Sequence, residues 1–134
     1  MDKYVVGFLF NEKGEVCLIE KMRPEWQKGR LNGVGGYMED GETPEQAMVR
    51  EFEEEAGSVV NWHLFYLIYG STYELYCFTS RDDARVKTMT DETVSWYRVD
   101  ELPVNILSNL KWLIPMADYK YEIDAKIHHE SETC

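Results

Sequence analysis

The segment Gly36–Gly57 reads GYMEDGETPEQAMVREFEEEAG and decides which fold the chain can form. Thr43 is a suitable N-cap, Pro44 suits the first helical position, and Gln46 follows Thr43 at capping-box spacing. Gly57 can adopt the left-handed conformation that ends a helix. The segment therefore predicts a glycine-rich loop followed by a helix with well-defined ends.

The predicted helix has an apolar side and an acidic side. Its apolar stripe, spaced at about 100° per residue, consists of Met48, Val49, Phe52 and Ala56. Glu51, Glu54 and Glu55 follow one another at i, i+3 and i+4, whereas Glu53 points almost the opposite way. Like charges at this spacing repel, so stability alone does not explain them. Hard divalent cations bind through carboxylates, so this face is a candidate metal site, with a solvated acidic face as the alternative.

The spacing of these residues resembles the signature of the Nudix hydrolases. Gly36, five residues, Glu42, seven residues and then residues 50–57, REFEEEAG, match the family pattern of Gly, Glu and Arg-Glu-hydrophobe-any-Glu-Glu-any-Gly. Every glycine, the arginine and all four glutamates of the pattern are present. The departure is Ser58, where the family usually has an aliphatic residue, and it concerns local packing more than metal binding.

The resemblance implies a fold, an activity and a cofactor. The family has an α/β/α sandwich with a mixed central sheet, whereas the pattern of elements alone supports α+β or α/β. Nudix enzymes hydrolyse a nucleoside diphosphate linked to another group by attack of water on phosphorus, with Mg²⁺ as the expected metal and Mn²⁺ as an alternative. We expect a single Nudix domain over residues 1–120 and a C-terminal tail over residues 121–134.

The resemblance also assigns metal ligands. Glu51, Glu54 and Glu55 are the expected side-chain ligands, and a carbonyl of Gly35 or Gly36 completes the site. One of these carboxylates is also the expected base, with Glu51 and Glu55 as the candidates.

Three residues have expected supporting roles. Arg50 is placed to orient neighbouring carboxylates by bidentate pairing, and Glu42 is expected to fix the loop rather than touch the substrate. Glu92 lies shortly before a predicted strand and is the candidate for a further carboxylate that binds metal or activates water. Asp91 is the second choice for that role, and a solvated loop acid is the alternative.

Two segments are candidates for substrate binding. The loop over residues 21–30 is basic in an acidic chain, and we assign Lys21 and Arg23 to substrate phosphates, with solvated charge as the alternative. Its other cations are Lys28 and Arg30. The next segment, residues 31–36, reads LNGVGG, and its glycines (Gly35 and Gly36 among them) let the backbone approach a phosphate closely. It is similar to the same segment of Nudix enzymes that hydrolyse oxidised purine nucleotides, so Asn32 is a candidate base contact or else a turn residue.

Composition restricts the class of partner. The chain has 134 residues, 44% of them hydrophobic, which suits one domain with a real core. Its 25 acidic and 14 basic residues give a net charge of −11, which argues against long nucleic acid but permits a small nucleotide handled by bound metal. We find no apolar run of membrane-spanning length and no signal peptide, so we expect a cytoplasmic protein without membrane contact, either monomer or homodimer.

The remaining pattern predicts strands and a second helix. Strands are expected over residues 4–10, 16–20, 31–36, 62–69, 73–78 and 93–99, with a hairpin turn over residues 70–72. Ile106, Leu107, Leu110, Leu113 and Ile114 recur at helical spacing, and Pro115 is expected to kink or end that helix. Cys17 and Cys77 are expected to be buried free thiols, because with Cys134 they form no metal-ligand spacing.

The substrate remains open between two enzyme hypotheses and one of another class. The short chain and the segment around Asn32 favour a (deoxy)nucleoside triphosphate, with an oxidised purine nucleotide as one candidate, that is cleaved to monophosphate and pyrophosphate. The alternative enzyme acts on ADP-ribose or dinucleoside polyphosphates. Tyr73 and Tyr76 lie where dinucleoside polyphosphate enzymes carry a tyrosine, but ordinary strand roles explain them as well. A nucleotide-binding regulator without turnover is the third hypothesis, although such domains typically lose signature glutamates.

Overall fold

The computed structural model describes residues 1–119, which form a seven-stranded sheet with an α-helix on each face. The elements in chain order are β1 (Asp2–Phe10), β2 (Glu15–Glu20), β3 (Leu31–Asn32), β4 (Val34–Tyr37), α1 (Pro44–Ala56), β5 (His63–Tyr69), β6 (Tyr73–Arg81), β7 (Val94–Arg98) and α2 (residues 110–119). Two short 3₁₀ turns cover Glu25–Gln27 and Val99–Glu101. The predicted α/β/α sandwich is confirmed.

The sheet is mixed because β1 and β6 run parallel while the other pairs are antiparallel. The strand order is β3-β2-β1-β6-β5, with β4 beside β1 and β7 beside β2. Consecutive side chains of a strand point to opposite faces, so β1 contributes to both layers of the core. Val5 and Leu9 pack in the layer of α1, whereas Val6, Phe8 and Phe10 pack in the layer of α2.

Both ends of α1 are as predicted. The Thr43 hydroxyl accepts a hydrogen bond from the backbone N–H of Gln46 at 3.2 Å, and the Gln46 side chain accepts one from the N–H of Thr43 at 3.0 Å. Gly57 has φ 77°, so it ends the helix in the left-handed conformation. The buried residues of α1 are Ala47, Met48, Phe52 and Ala56, whereas Val49 is only partly buried. Local signals alone therefore locate this helix.

The second helix differs from its prediction at both ends. It begins at residue 110, because Ile106 forms a parallel bridge with Leu31 and the N–H of Leu107 donates to the carbonyl of Leu31 at 2.9 Å. It also continues past Pro115, so of the two expected effects of this proline, a kink or an end, the end is excluded. The fixed φ of proline is compatible with a helix. Its cost is one missing hydrogen bond, because it has no N–H, and crowding of the ring against the carbonyl four residues earlier. The buried side chains of α2 offset that loss, and they are Leu110, Leu113, Ile114 and Ala117.

The other strand predictions are confirmed, except that residues 31–36 form two short strands instead of one. Cys17 and Cys77 are buried free thiols, and burial raises the pKa of each to about 12. Within residues 1–119, no helix combines the length and the apolar character that crossing a bilayer requires. The predicted tail over residues 121–134, including Cys134, lies outside the described residues, so the domain boundary stays a prediction.

Candidate active site

Strand β4 packs so closely against its neighbours that Gly35 must be glycine, and a side chain at Gly36 would displace the Glu51 carboxylate. A Cβ atom at Gly35 would lie 2.0 Å from the backbone oxygen of Val5 on β1. A Cβ atom at Gly36 would lie 2.7 Å from Oε1 of Glu51 on α1. Both separations are shorter than non-bonded atoms allow, so Gly35 permits the close pairing with β1 and Gly36 leaves room for the Glu51 carboxylate beside the strand.

Arg50 connects the glycine-rich loop to the acidic face of α1. Its Nε and Nη2 atoms donate to the two carboxylate oxygens of Glu42, at 2.6 and 3.0 Å. Its Nη2 atom also donates to the carbonyl of Tyr37 at 3.0 Å. Its Nη1 atom lies 3.0 Å from Oε1 of Glu51 and 3.2 Å from Oε2 of Glu54. Arg50 thus holds three carboxylates at once, in the geometry expected of an orienting residue.

Glu42 fixes the loop, as the sequence suggested. Besides the two bonds from Arg50, its Oε1 atom accepts a hydrogen bond from the backbone N–H of Glu39 at 2.7 Å. The hydrogen bonds from Arg50 hold the pKa of Glu42 below its ordinary value, so this carboxylate stays charged and paired.

Glu51 and Glu55 form the desolvated part of the acidic face. Burial raises the pKa of Glu51, and the hydrogen bond from Arg50 offsets part of that effect. Burial also raises the pKa of Glu55 to about 7, and the negative charge of Glu51 acts in the same direction. Lys21 and the backbone of Gly35 lower that pKa in part, and within residues 1–119 the buried Oε2 atom of Glu55 has no hydrogen-bond partner. An unpartnered buried carboxylate oxygen is costly, which suits a site that binds a cation.

Glu54 is more exposed than the other two carboxylates. Its side chain is 56% exposed and pairs with Arg50 one turn earlier on α1. In the described part of the chain, no three side chains of the types His, Cys, Asp or Glu are grouped as a metal-binding set. Glu51 and Glu54 face Arg50 instead, so joint ligation with Glu55 requires them to turn from the guanidinium. The three-glutamate metal site therefore stays a prediction.

Glu92 is close enough for its charge to raise the pKa of Glu55, and it is 4% exposed. Its Oε1 atom accepts a hydrogen bond from Nζ of Lys21 at 3.3 Å. Its Oε2 atom accepts hydrogen bonds from the backbone N–H groups of Met22, at 2.7 Å, and Arg23, at 3.4 Å. Glu92 is therefore buried and well paired, unlike a solvated loop acid.

The other predicted substrate contacts differ in their surroundings. Arg23 is exposed and forms a two-bonded ion pair with Asp91. Asn32 is held locally, because its Oδ1 atom accepts from the N–H of Gly33 at 2.8 Å and its Nδ2 atom donates to Gln27 at 3.4 Å. Arg30 serves the fold: its guanidinium donates to the backbone oxygens of Asn105 and Ile106.

Residues 82–91, which we call the strap, were given no role from sequence except for Asp91, the second choice for the further carboxylate. The strap runs across the C-terminal end of α1, where the last carbonyls of a helix lack partners. The N–H of Lys87 donates to the carbonyl of Ala56 at 3.0 Å, and the N–H of Met89 donates to the carbonyl of Glu55 at 3.3 Å. The Ser58 hydroxyl donates to the carbonyl of Arg85. The departure from the family pattern at position 58 thus provides a bond to the strap.

A glycine-lined strand against an acidic helix, on a mixed sheet, is the arrangement of a Nudix domain. The profile of the NUDIX domain family matches residues 2–118, so the chain belongs to this family. Over 52 residues it is 42% identical to the 8-oxo-dGTP diphosphatase of Escherichia coli (strain K12), a match that spans 39% of this chain and 40% of that relative. The chain therefore matches less than half the length of this curated relative.

Solved structures share the fold at lower identity. A MutT structure from work on Aliivibrio salmonicida and Vibrio cholerae has a TM-score of 0.70 at 24% identity, covering 88% of this chain and 98% of that one. The NUDIX domain of Shewanella oneidensis NrtR, complexed with ADP ribose, has a TM-score of 0.75 at 17% identity, covering 89% and 87%. At these identities the likeness shows the fold alone.

Proposed function

We propose that this protein is a metal-dependent hydrolase of phosphoanhydride bonds that cleaves nucleoside triphosphates to monophosphate and pyrophosphate. Membership of the NUDIX domain family supports the reaction class. The partial match to an 8-oxo-dGTP diphosphatase supports an oxidised purine deoxynucleoside triphosphate as the first substrate to test. The net charge of −11 fits a small nucleotide better than a long nucleic acid.

The observation that carries the proposal is the buried, unpartnered Oε2 atom of Glu55 beside the Glu51 carboxylate. Oxygen donors that are already desolvated suit Mg²⁺, or Mn²⁺ in its place. Glu51, Glu54 and Glu55 would hold the ion, together with a backbone carbonyl of Gly35 or Gly36. When bound, the ion would neutralise phosphate oxygens and lower the pKa of a coordinated water.

The chain's own groups would bind the nucleotide and orient the carboxylates. Lys21 and Arg23 would meet the phosphates, because both belong to the basic loop and Lys21 acts electrostatically on Glu55. Arg50 would keep the acidic side chains in orientation. Asn32 would contact the base. Either Glu51 or Glu55 would accept the proton of the attacking water.

The second candidate function is hydrolysis of ADP-ribose or of a dinucleoside polyphosphate. It is favoured by the fold's likeness to the NrtR domain, whose structure contains ADP ribose. A nucleotide-binding regulator is the alternative of another class, and the complete set of signature glutamates speaks against it.

A nucleotide panel distinguishes these functions. The purified protein is incubated with Mg²⁺, and separately with Mn²⁺, and with 8-oxo-dGTP, the common nucleoside triphosphates, ADP-ribose and a diadenosine polyphosphate. We expect nucleoside monophosphate and pyrophosphate from a triphosphate. AMP from ADP-ribose or from the dinucleotide, with triphosphates untouched, supports the second candidate. Binding of a nucleotide without any product in either metal would overturn both enzyme hypotheses.

A further inference from the structure

We infer that Glu92 is a positioning residue, a clasp that fixes Lys21 and the backbone of the basic loop beside the acidic helix. The family pattern suggested a different role, in which this carboxylate binds metal or activates water. Both of those roles require carboxylate oxygens that can reach an ion or a water at the reacting phosphorus. The contacts of Glu92 point to the clasp.

Both carboxylate oxygens of Glu92 already accept hydrogen bonds. Oε1 accepts from Lys21, and Oε2 accepts from the N–H groups of Met22 and Arg23. The side chain of Glu92 is 5% exposed. A buried carboxylate is stable only when charge and hydrogen bonds compensate it, and these three donors do so. Three of the roughly four lone-pair sites of this carboxylate are therefore in use, which leaves little capacity for an ion or a water.

Lys21 is held by Glu92 and has a side chain that is 16% exposed. A lysine side chain has many rotamers, so without a partner its ammonium group would occupy many positions. Its backbone is fixed on both sides, since its N–H donates to the carbonyl of Arg30 and its carbonyl accepts from Gly29, each at 2.8 Å. Glu92 fixes the remaining part, the ammonium group. An ammonium has three donors, so one bond to Glu92 leaves two for phosphate oxygens.

Glu92 also joins the basic loop to the strap, which contacts the acidic helix. It follows directly after the strap, whose Met89 N–H donates to the carbonyl of Glu55. Its own N–H donates to the hydroxyl of Thr90 at 3.1 Å, which fixes the end of the strap. Through Glu92 the strap therefore holds the basic loop in place relative to Glu55. This assignment of Lys21 to phosphate rests on the proposed function, whereas the clasp itself does not.

The test compares Glu92→Gln with wild type, with exposed Glu12→Gln as the matched control. With a nucleoside triphosphate and Mg²⁺, we expect KM to rise by about tenfold, the scale of a lost charge-assisted contact, while kcat and its pH profile change little. Lys21→Met should raise KM similarly, and the double variant should add little to either single change. A fall in kcat of about 10²-fold or more at constant KM, or a lost limb of the pH profile, would instead make Glu92 a base or ligand.

Hydrogen exchange and metal titration test the clasp without turnover, even if the protein hydrolyses none of the nucleotides. In Glu92→Ala, hydrogen exchange at the amides of Met22 and Arg23 should accelerate, because both lose their acceptor. Mn²⁺ affinity, measured by titration, should stay the same as in wild type. Unchanged exchange at both amides overturns the clasp, and so does a loss of Mn²⁺ affinity. An inactive wild type overturns the proposed function alone, and the exchange result still decides the clasp.

Discussion

Arg50 and Glu42 form a bidentate pair in which Nε lies 2.6 Å from Oε2 and Nη2 lies 3.0 Å from Oε1. The pair joins the loop before α1 to the middle of the helix. Because two guanidinium nitrogens are bound to Glu42, the plane of the group is fixed. The third nitrogen, Nη1, is consequently directed at Glu51 and Glu54.

Replacement of Arg50 by lysine should disturb this arrangement even though the charge is kept. An ammonium cannot make the paired bonds, so Glu42 is left partly unpaired and Glu51 and Glu54 lose their orientation. We expect kcat/KM to fall by roughly 10- to 100-fold, the scale for a lost orienting contact. Steady-state kinetics would measure this, with thermal unfolding to confirm the fold. Wild-type kinetics in Arg50→Lys would show that Arg50 does not orient the carboxylates.

Glu54→Gln should abolish most turnover while the fold persists. The substitution removes a predicted ligand charge but keeps the volume of the side chain, and it relieves repulsion on an exposed part of α1. The matched control is Glu53→Gln, one residue earlier on the exposed side, which should remain active. Comparison of the two rates in Mg²⁺, together with metal titration, checks the prediction. Full activity of Glu54→Gln would remove this residue from the metal site.

Stability of the metal-free protein should depend on pH through Glu55. Its pKa in the folded protein is raised by burial from an ordinary value of 4.5 to about 7, so the folded state holds the proton more tightly than the unfolded chain. The stabilising effect of protonation is complete below pH 4.5 and is lost as the pH rises through 7. We expect a loss on the order of 1–3 kcal/mol over that window.

Urea unfolding in EDTA at several pH values measures this effect of Glu55. Glu55→Gln should flatten the pH dependence between 4.5 and 7 and should stabilise the metal-free protein at pH 8. The same pH dependence in the variant and in wild type would attribute the titration to another group.

Asn32→Ala tests the proposed base contact. If Asn32 reads a purine edge, its loss should change kcat/KM for oxidised and unmodified purine nucleotides by unequal factors, with a difference of about 1–3 kcal/mol. Metal affinity should change much less. Because Asn32 also bonds to Gly33 and Gln27, a purely local role is the competing explanation. That explanation predicts the same loss for every nucleotide.

Ser58→Ala tests the bond between the helix end and the strap. The change removes the hydroxyl that donates to the carbonyl of Arg85 and should lower the free energy of unfolding by about 0.5–1.5 kcal/mol. Denaturant unfolding measures the loss. Ser71→Ala, at an exposed turn, is the matched control and should leave stability unchanged. Equal stability of both variants would show that the strap is held by its backbone bonds alone.

The parts of the molecule that could be predicted from sequence are those with local causes. Thr43, Pro44, Gln46 and Gly57 act within one turn of the helix ends, so they locate α1 without knowledge of the rest of the fold. The spacing of the glutamates along α1 is equally local. Arg50 and Glu42 were found because their relation is part of a family pattern.

The parts that could not be predicted depend on contacts between distant segments. Ile106 has helical spacing but pairs with Leu31, since the edge of β3 offers a partner that periodicity does not reveal. Pro115 is a local signal against helix that burial of neighbouring residues overrides. The Ser58–Arg85 bond of the strap joins residues 27 positions apart, and the bond from Met22 to Glu92 joins residues 70 positions apart. No sequence period encodes such contacts.

The parallel pairing of β1 with β6 has a consequence for the order of assembly during synthesis. Asp2 lies opposite Tyr73 and Phe10 lies opposite Arg81, so β1 is synthesised well before the strand β6 that pairs with it. The acidic helix is made in between, before the sheet that supports it is complete. Until β6 is made, the backbone edge of β1 that β6 pairs with is open, and an open strand edge can pair with other chains.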